Sequence, residues 1–427
     1  MRDNKITGNP GLEYPKTTVS SGASQVAVRV SPLMRYAYYL FVFSVPIETI
    51  NVGLEEGVFS LSKLTGIMLI AVALSQPKVS FKKPPMPFWC FLTYILVCLG
   101  LTNWHVPLIN ALVMTYVFTL GLLLVLFWVS CNVLKDKVLV KGALLSFIGS
   151  CIVLAGLMLA GSGQSIAQGR MTALSQNANV VGATLSLGLL ALLGLVYGRN
   201  DMDKRLKHLA WLCFGGITVA TVATGSRTAM VAFLAGMFVF VVVRRGDFVL
   251  KTRVVFIGLL ALAGMVLAVS QNDAVRLRWE RAILYGDQSR REEIHPAAWD
   301  MFLQKPLLGW GPVSHYMELG YRFSRTALDP HQQYLWVMIE TGLLGSIPFF
   351  TGLWICWRSG WRAGYGSEGS LPIALLTCLY VSNLAGTFHL RKVFWIVLAY
   401  NLASESFVSR RGRPAYGADS IKRLRAE

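Results

Sequence analysis

The sequence has little charge. Only 15% of its 427 residues are Asp, Glu, Lys or Arg, against about 25% in soluble globular domains. That excludes an ordinary soluble enzyme of this size. Acidic residues are the scarcer sign, 22 against 40 Lys and Arg. A metal-dependent glycosyl or phosphoryl transferase wants carboxylates paired around a divalent ion. The Asp-x-Asp at Asp201-Met202-Asp203 stands among Lys204, Arg205 and Lys207 and reads as a solvated loop, as does His208 beside it. The seven cysteines (Cys90, Cys98, Cys131, Cys151, Cys213, Cys356 and Cys378) fall in or beside apolar segments without metal-ligand spacing. They read as small buried hydrophobes. No HExxH, Walker loop, GxSxG or CxxC occurs in a suitable context. No cleavable leader is apparent, because the first 30 residues are polar, rich in Ser, Thr and Pro, and without an apolar run.

What the chain has is apolarity. Hydrophobic residues make up 54% of it, in recurring runs of about 20, the length of a membrane-crossing helix. Twelve spans are expected, at about 35–53, 58–75, 87–103, 105–131, 142–161, 178–197, 209–224, 227–243, 254–270, 331–357, 371–388 and 392–408. The fold class is therefore an all-α polytopic membrane protein. Its expected parts are an N-terminal tail (1–34), nine spans (35–270), one large loop (271–330), three spans (331–408) and a C-terminal tail (409–427).

A net charge of +18 suggests nucleic acid in a soluble protein; here orientation explains most of it. Cytoplasmic segments are enriched in Lys and Arg. With both tails inside, every inner segment carries at least two cations, and 27 of the 40 are inside. Of the thirteen outer ones, eight lie in the loop 271–330, while Arg170, Arg227, Arg391 and Lys392 occupy outer loops short enough to hold them at the membrane face. A lone interfacial arginine can simply snorkel.

The outer loop is long enough to be functional. Within "REEIHPAAWDMFLQKPLLGWG", Ile294, Ala298 and Met301 or Phe302 share one face of an expected short helix ending near Lys305-Pro306, followed by a glycine turn with an exposed-looking Trp310. Without cysteine, the loop must hold its shape by packing on the membrane domain. At its end, "LDPHQQYLWVMIETGLLG" predicts a helix with Asp329 as N-cap, Pro330 at the first position and Gln332 three after the cap. His331 then lies in the first turn, where the helix dipole favours anions over imidazolium, a setting that suits a proton acceptor. A histidine that only hydrogen-bonds a loop is the plainer alternative. The glycines of "GLLG" read as ordinary packing and turn residues.

Guanidinium groups can neutralise a departing diphosphate with fixed geometry and no loosely bound ion. Arg170, Arg227 and the pair Arg290-Arg291 come from three separated segments that would have to converge on one pyrophosphate, an arrangement that chain distance alone does not show.

These pieces resemble a known family. "GSRTAMVAFLAG" looks like the SRT turn of the O-antigen ligase and polymerase superfamily. "RREEIHPAAWDMFLQKPLLGWGP" is similar to its Arg…helix…P-x-x-G-x-G segment, "DPHQQYLWVMIETGLLG" to its His-x-x-Tyr-Leu…Glu-x-Gly-x-x-Gly signature, and "GRMTALSQNANVVG" to an upstream Arg…Asn-x-Asn element. All four occur in family order across about 170–345. The resemblance implies a GT-C-like, inverting, metal-independent glycosyltransferase without a cofactor, in the bacterial inner membrane with its site facing the periplasm. The donor would be a glycan on undecaprenyl diphosphate, the acceptor a sugar hydroxyl of lipid A–core. Carried over by position, Arg227 and Arg291 contact the donor diphosphate and His331 is the catalytic histidine, either as base or as a phosphate contact. Arg170, Arg290, Asn179, Gln332 and Tyr334 are further substrate-binding candidates. His295-Pro296 departs from the pattern and predicts a later start for the loop helix.

An O-antigen polymerase or a protein O-glycan ligase would share that donor. An anion or solute transporter is the alternative from another class. It would place ionisable residues near the bilayer midplane, for which Glu48 and Glu340 are the main candidates. The roles of Trp310, His315 and His389 stay open, the last of them beside Arg391 and Lys392 at an outer turn.

Overall fold

The computed structural model of the chain describes residues 30–48, 60–102, 107–162, 164–166, 170–198, 203–244, 248–271, 273–287 and 290–408. Both expected tails lie largely outside these residues, as do Asp201 and the turn between the third and fourth expected spans. In order, the helices are α1 (Pro32–Ser44), α2 (Leu61–Ser75), α3 (Pro77–Ser80), α4 (Met86–Gly100), α5 (Pro107–Val133), α6 (Lys137–Leu157), α7 (Ala178–Gly198), α8 (Lys204–Ala223), α9 (Arg227–Val243) and α10 (Phe248–Ser270). Then come α11 (Asp273–Tyr285), α12 (Arg291–Gln304), α13 (Ser314–Arg322), α14 (Gln333–Ala363), α15 (Leu371–Ser382) and α16 (Lys392–Glu405). A short antiparallel ribbon, β1 (Gln164–Ile166) and β2 (Arg170–Thr172), follows α6, with Ile166 opposite Arg170.

A helix occupies part of each of the twelve expected apolar segments. Five described helices are long and apolar enough to cross a bilayer: Asn110–Val133, Lys137–Gly161, Ala178–Tyr197, Lys204–Ala223 and Gln333–Ala363. Twenty helical residues rise about 30 Å, the thickness of the hydrocarbon layer. Leu61–Ser75, Met86–Gly100, Arg227–Val243 and Leu371–Ser382 are shorter apolar helices. The architecture is that of an all-α membrane protein.

Helix α7 runs through the centre. Val181, Leu185, Leu189, Leu190 and Leu193, on different sides of it, are all buried, and α6, α8, α9 and α15 pack around it. On the periphery Phe118, Leu212, Phe238 and Phe256 are exposed, as side chains that face lipid should be. Polar residues sit where helices begin. Ser226 caps α9 by accepting from the Ala229 amide, and Asp136 caps α6 through the amides of Val138 and Leu139. Asp136 also pairs with Arg35 at 2.7 Å, tying the start of α1 to the start of α6.

Between α10 and α14 the loop folds as α11, α12 and α13. Ile294, Ala298, Met301 and Phe302 form the buried face of α12, as their spacing predicts, and cluster with Leu319, Leu328, Leu335 and Ile339. The last two belong to α14, so the loop is indeed held by packing on the bundle. Contrary to the expectation from His295-Pro296, α12 begins at Arg291 and keeps Pro296 inside. A proline so close to the helix start costs a single backbone bond, to Glu292, and the buried face outweighs it.

The two glycine motifs are not generic, as read from sequence; they interlock. Trp310 N donates to Ile339 O at 2.8 Å and Gly311 N to Glu340 O at 2.9 Å, while Leu343 N donates to Pro306 O. A Cβ on Gly342 (φ 56) would stand 2.4 Å from the Leu307 carbonyl carbon, and one on Gly309 (φ 68) 2.6 Å from that of Glu340. Both positions need the left-handed backbone and bare Cα that glycine alone combines. Gly342→Ala is therefore expected to destabilise the protein by about 2–4 kcal/mol. The check is a drop of several degrees in the melting temperature of the purified protein in detergent; an unchanged melting temperature would refute the interlock.

Of three ionisable residues left open by the sequence, two lie in the interior and one is partly exposed. Glu48 follows the end of α1 and pairs with Arg391 and with Lys392 (3.4 Å). Glu340, fully buried in α14, accepts hydrogen bonds from Tyr94 and from Tyr116 (3.1 Å). His389 neither borders headgroups nor lines the site. It is fully buried against Tyr116 and Trp336.

His315 on α13 is also fully buried, edge-on to Trp336 at 4.7 Å, and its Nδ1 donates to Gly311 O at 3.1 Å. Burial lowers its pKa to about 4. Its folded-state pKa lies below the unfolded one, so between pH 6.5 and 4 the unfolded chain binds the extra proton and stability falls with pH. The loss is on the order of 2–3 kcal/mol. Melting temperatures at pH 7 and pH 4.5 should diverge in the native protein, and His315→Gln should diverge less.

Candidate active site

The start of α9 is built by "ATGSRTA". Thr224 ends α8, Gly225 turns with φ 60, and Ser226 caps α9, which places Arg227 at the first helical position. Close approach holds this turn against α7, since a Cβ on Gly182 would meet Ala229 Cβ and Thr224 Oγ1 at 2.9 Å. That contact sets the start of α7, with Asn177 and Asn179, beside the start of α9. The side chain of Asn177 accepts from the Asn179 amide at 2.9 Å.

Arg170, on β2, reaches across both. Its Nε donates to Thr224 O at 3.0 Å and its Nη2 to Asn179 Oδ1 at 2.7 Å. Arg227 Nη1 donates to the carbonyls of Arg278 (3.2 Å) and Asp287 (3.0 Å), pinning α11 and the turn after it. Arg291 Nη2 donates to Ala385 O at 3.0 Å, in the turn after α15.

These side chains share one cavity of about 210 Å³. Its wall is made by Arg170, Asn177, Asn179, Gly225, Arg227, Thr228, Arg278, Arg291 and His331. Four guanidinium groups thus gather with one imidazole. The starts of α7, α9 and α12 supply wall residues, and His331 stands two residues before α14. Helix starts present unpaired amides and the positive end of the dipole, both favourable to anions.

The cations bear on one another. Burial lowers the pKa of Arg170 to about 10, helped by the charges of Arg278, Arg291 and Arg227. Arg291 is lowered by burial and by Arg227 and Arg278, against Asp329 and Glu292, which raise it. Arg278 is lowered by burial and Arg227, against Asp287. All remain cationic at neutral pH. Arg170 and Arg291 have no carboxylate partner within ion-pair distance among the described residues. A multivalent anion would relieve this crowding.

His331 departs from its expected setting. The helix begins at Gln333, not at Pro330, and Asp329 is not its cap. The Asp329 carboxylate accepts from the His331 amide at 2.6 Å and from the Thr387 hydroxyl at 3.1 Å. This turn leaves His331 left-handed, with φ 52, a conformation in which histidine is enriched. Its Nδ1 lies 3.6 Å from Asp329 Oδ2, and its side chain is 47% exposed. Asp329 thus restrains the imidazole from one side and leaves the other ring nitrogen to a ligand.

Of the residues picked from sequence, Arg170, Asn179, Arg227, Arg291 and His331 come together. Three do not. Arg290, the left-handed residue before α12, points outward to Glu293 (3.6 Å) and the Phe323 ring. Successive residues at a helix start diverge by about 100°, so only Arg291 faces the cavity. Tyr334 lies inside the bundle, its hydroxyl donating to Tyr380 O at 2.9 Å. Gln332 precedes α14 without a cap bond and is not on the cavity wall. Trp310 is half-buried, with Nε1 donating to Met301 O. The sequence reading missed Asn177, Thr228 and Arg278. Arg278 is three residues after the buried Val275, on the inner face of α11, and that spacing was its only signal.

A helical membrane bundle with an arginine-lined pocket at its helix starts is the class that fold and site define. Residues 208–350, about a third of the chain, match a family model described as O-Antigen ligase. It runs from α8 into α14 and includes Arg227, Arg278, Arg291 and His331, but not Arg170. No curated protein matches the chain. The family is one of glycosyltransferase-like ligases and polymerases, which implies a lipid-linked glycan and a lipid acceptor in general terms.

Proposed function

We propose that the chain transfers an O-antigen glycan from undecaprenyl diphosphate to a hydroxyl of lipid A–core, with inversion and without a metal, at the periplasmic face of the inner membrane. The observation that carries this is the gathering of four guanidinium groups and His331 in one cavity. A diphosphate has the charge and size to satisfy them, and bidentate forks suit its oxygens. All twelve apolar segments cross the bilayer in this reading, in a GT-C-like arrangement. The charge bias along the sequence supports placing the arginine-lined end outside.

The acceptor oxygen attacks the anomeric carbon on the side opposite the diphosphate, His331 takes its proton, and the bond from carbon to diphosphate oxygen breaks. The new glycosidic bond is inverted, and the negative charge that develops on the leaving group falls among Arg170, Arg227, Arg278 and Arg291. Stabilisation of departing charge by preorganised donors is commonly the largest catalytic contribution. Holding both substrates in one place supplies the rest.

A lipid-linked donor also needs a path for its tail. An apolar groove of about 600 Å³ lies between α8 and α10, walled by Trp211, Phe214, Val222, Phe256 and Leu260. Val222 is three residues from Gly225 of the cationic cavity, so one end of the groove lies close in sequence to the diphosphate site of this reading.

The test mixes purified protein with undecaprenyl-diphosphate-linked glycan and lipid A–core. Glycosylated lipid A–core is the expected product. Glycan lengthening on the carrier would identify a polymerase, and no transfer at all would refute the reading. Transfer is expected to persist in chelator, because guanidinium groups take the role of a divalent ion; a strict metal requirement would contradict this.

A further inference from the structure

The loop carries a second concavity, separate from the cationic cavity. It lies where α12 ends and α13 begins, with a volume of about 790 Å³, and Lys305, Trp310, Glu318, Tyr321, Arg325 and Thr326 are on its wall. Its charges are unequally matched. Arg322 beside it is neutralised by Asp300 (2.9 Å) and Glu318 (3.2 Å), which occupies the carboxylate of the wall. Lys305 and Arg325 have no carboxylate within ion-pair distance among the described residues. The Lys305 ammonium lies 3.8 Å from the centre of the Trp310 ring, and that ring is fixed by the bond of its Nε1 to Met301 O (2.8 Å). Tyr321 is 80% exposed.

Two unmatched cations, an exposed phenol ring and a hydroxyl form a surface for a ligand that is both hydroxylated and anionic. A fork and an ammonium hold phosphate or carboxylate groups, and the phenol supplies a flat apolar face with a polar tip. The position fits the same ligand. Thr326 is five residues before His331, a distance of at most about 17 Å even if fully extended. The bond from Leu328 N to Tyr316 O (3.0 Å) fixes that connecting segment on α13. A ligand of a few sugar rings in the groove is long enough to span that distance to the imidazole.

We propose that this groove binds the anionic saccharide of the acceptor and presents its hydroxyl to His331, an inference that rests on the transfer reaction above. An anionic phospholipid headgroup would use the same cations. The charged and hydroxyl-bearing wall favours a saccharide, and the lipid is an outcome of the test.

The experiment uses the full-length protein in detergent. Its probe is de-acylated lipid A–core saccharide, with its phosphates or after phosphatase treatment, and binding is followed by calorimetry. Lys305→Ala/Arg325→Ala should weaken binding of the phosphorylated saccharide by about tenfold or more. It should raise the acceptor KM by a similar factor and leave the donor KM unchanged. Phosphatase treatment should cause the same loss in the native protein and little further loss in the variant. Arg276→Ala, which removes an exposed cation of the same loop outside the groove, controls for net charge. Unchanged saccharide affinity and acceptor KM in the variant would overturn the proposal while native transfer upholds the reaction. Loss confined to binding of phosphatidylglycerol vesicles would assign the groove to lipid and overturn it too. A native protein that transfers nothing would remove both readings together.

Discussion

His331→Ala is expected to slow glycan transfer by about 10²–10⁴-fold, the usual contribution of a positioned general base, and to leave the bundle folded. The imidazole is 47% exposed, with the Asp329 carboxylate beside it and the cavity before it, so little packing is lost. Alanine does carry a penalty at φ 52, of about 1–2 kcal/mol. His331→Asn separates the two effects. Asparagine tolerates the left-handed backbone but supplies no base, so it should be as inactive as alanine and more stable. Initial rates at saturating donor and acceptor, with melting temperatures beside them, decide the matter. Native rates in either variant would remove His331 from the chemistry.

Arg291→Lys should lose about 10²-fold in rate although the charge is kept. Arg291 is anchored by one Nη2 bond to Ala385 O, which leaves the rest of the guanidinium edge to the proposed diphosphate. Lysine offers a single ammonium that cannot hold the backbone carbonyl and a phosphate oxygen in the same plane. The loss should fall mainly on kcat, because the charge to be stabilised develops in the transition state. Near-native kcat in Arg291→Lys would show that point charge suffices and would refute fork recognition. Arg227→Ala is a less clean probe, since Arg227 also carries the carbonyls of Arg278 and Asp287 and its loss would loosen α11.

Much of this was legible beforehand. The face of α12, the SRT turn and the choice of Arg291 over Arg290 follow from periodicity and motif register, which are local. The misreadings share a cause. Asp329 carries every sign of an N-cap, yet its carboxylate is taken by the His331 amide and by Thr387 from 58 residues away. Tyr334 sits within the signature but points at Tyr380, in α15. Gly309 and Gly342 look like common turn glycines until their two segments are seen back to back. Each outcome depends on a partner that no local window contains.

The hydrophobic runs alone determined a helical membrane protein, because a backbone in lipid has to satisfy its own hydrogen bonds and helices do so within one segment. The distribution of Lys and Arg likewise marked one end of that bundle. Only the tertiary structure decided that Arg170, Arg227, Arg278 and Arg291 face one another across a single cavity with His331 at its edge. Mutual repulsion opposes such a gathering. The packing of α7 against α9, of α12 against α14, and the backbone carbonyls that hold each guanidinium impose it, and those contacts join residues up to 94 positions apart.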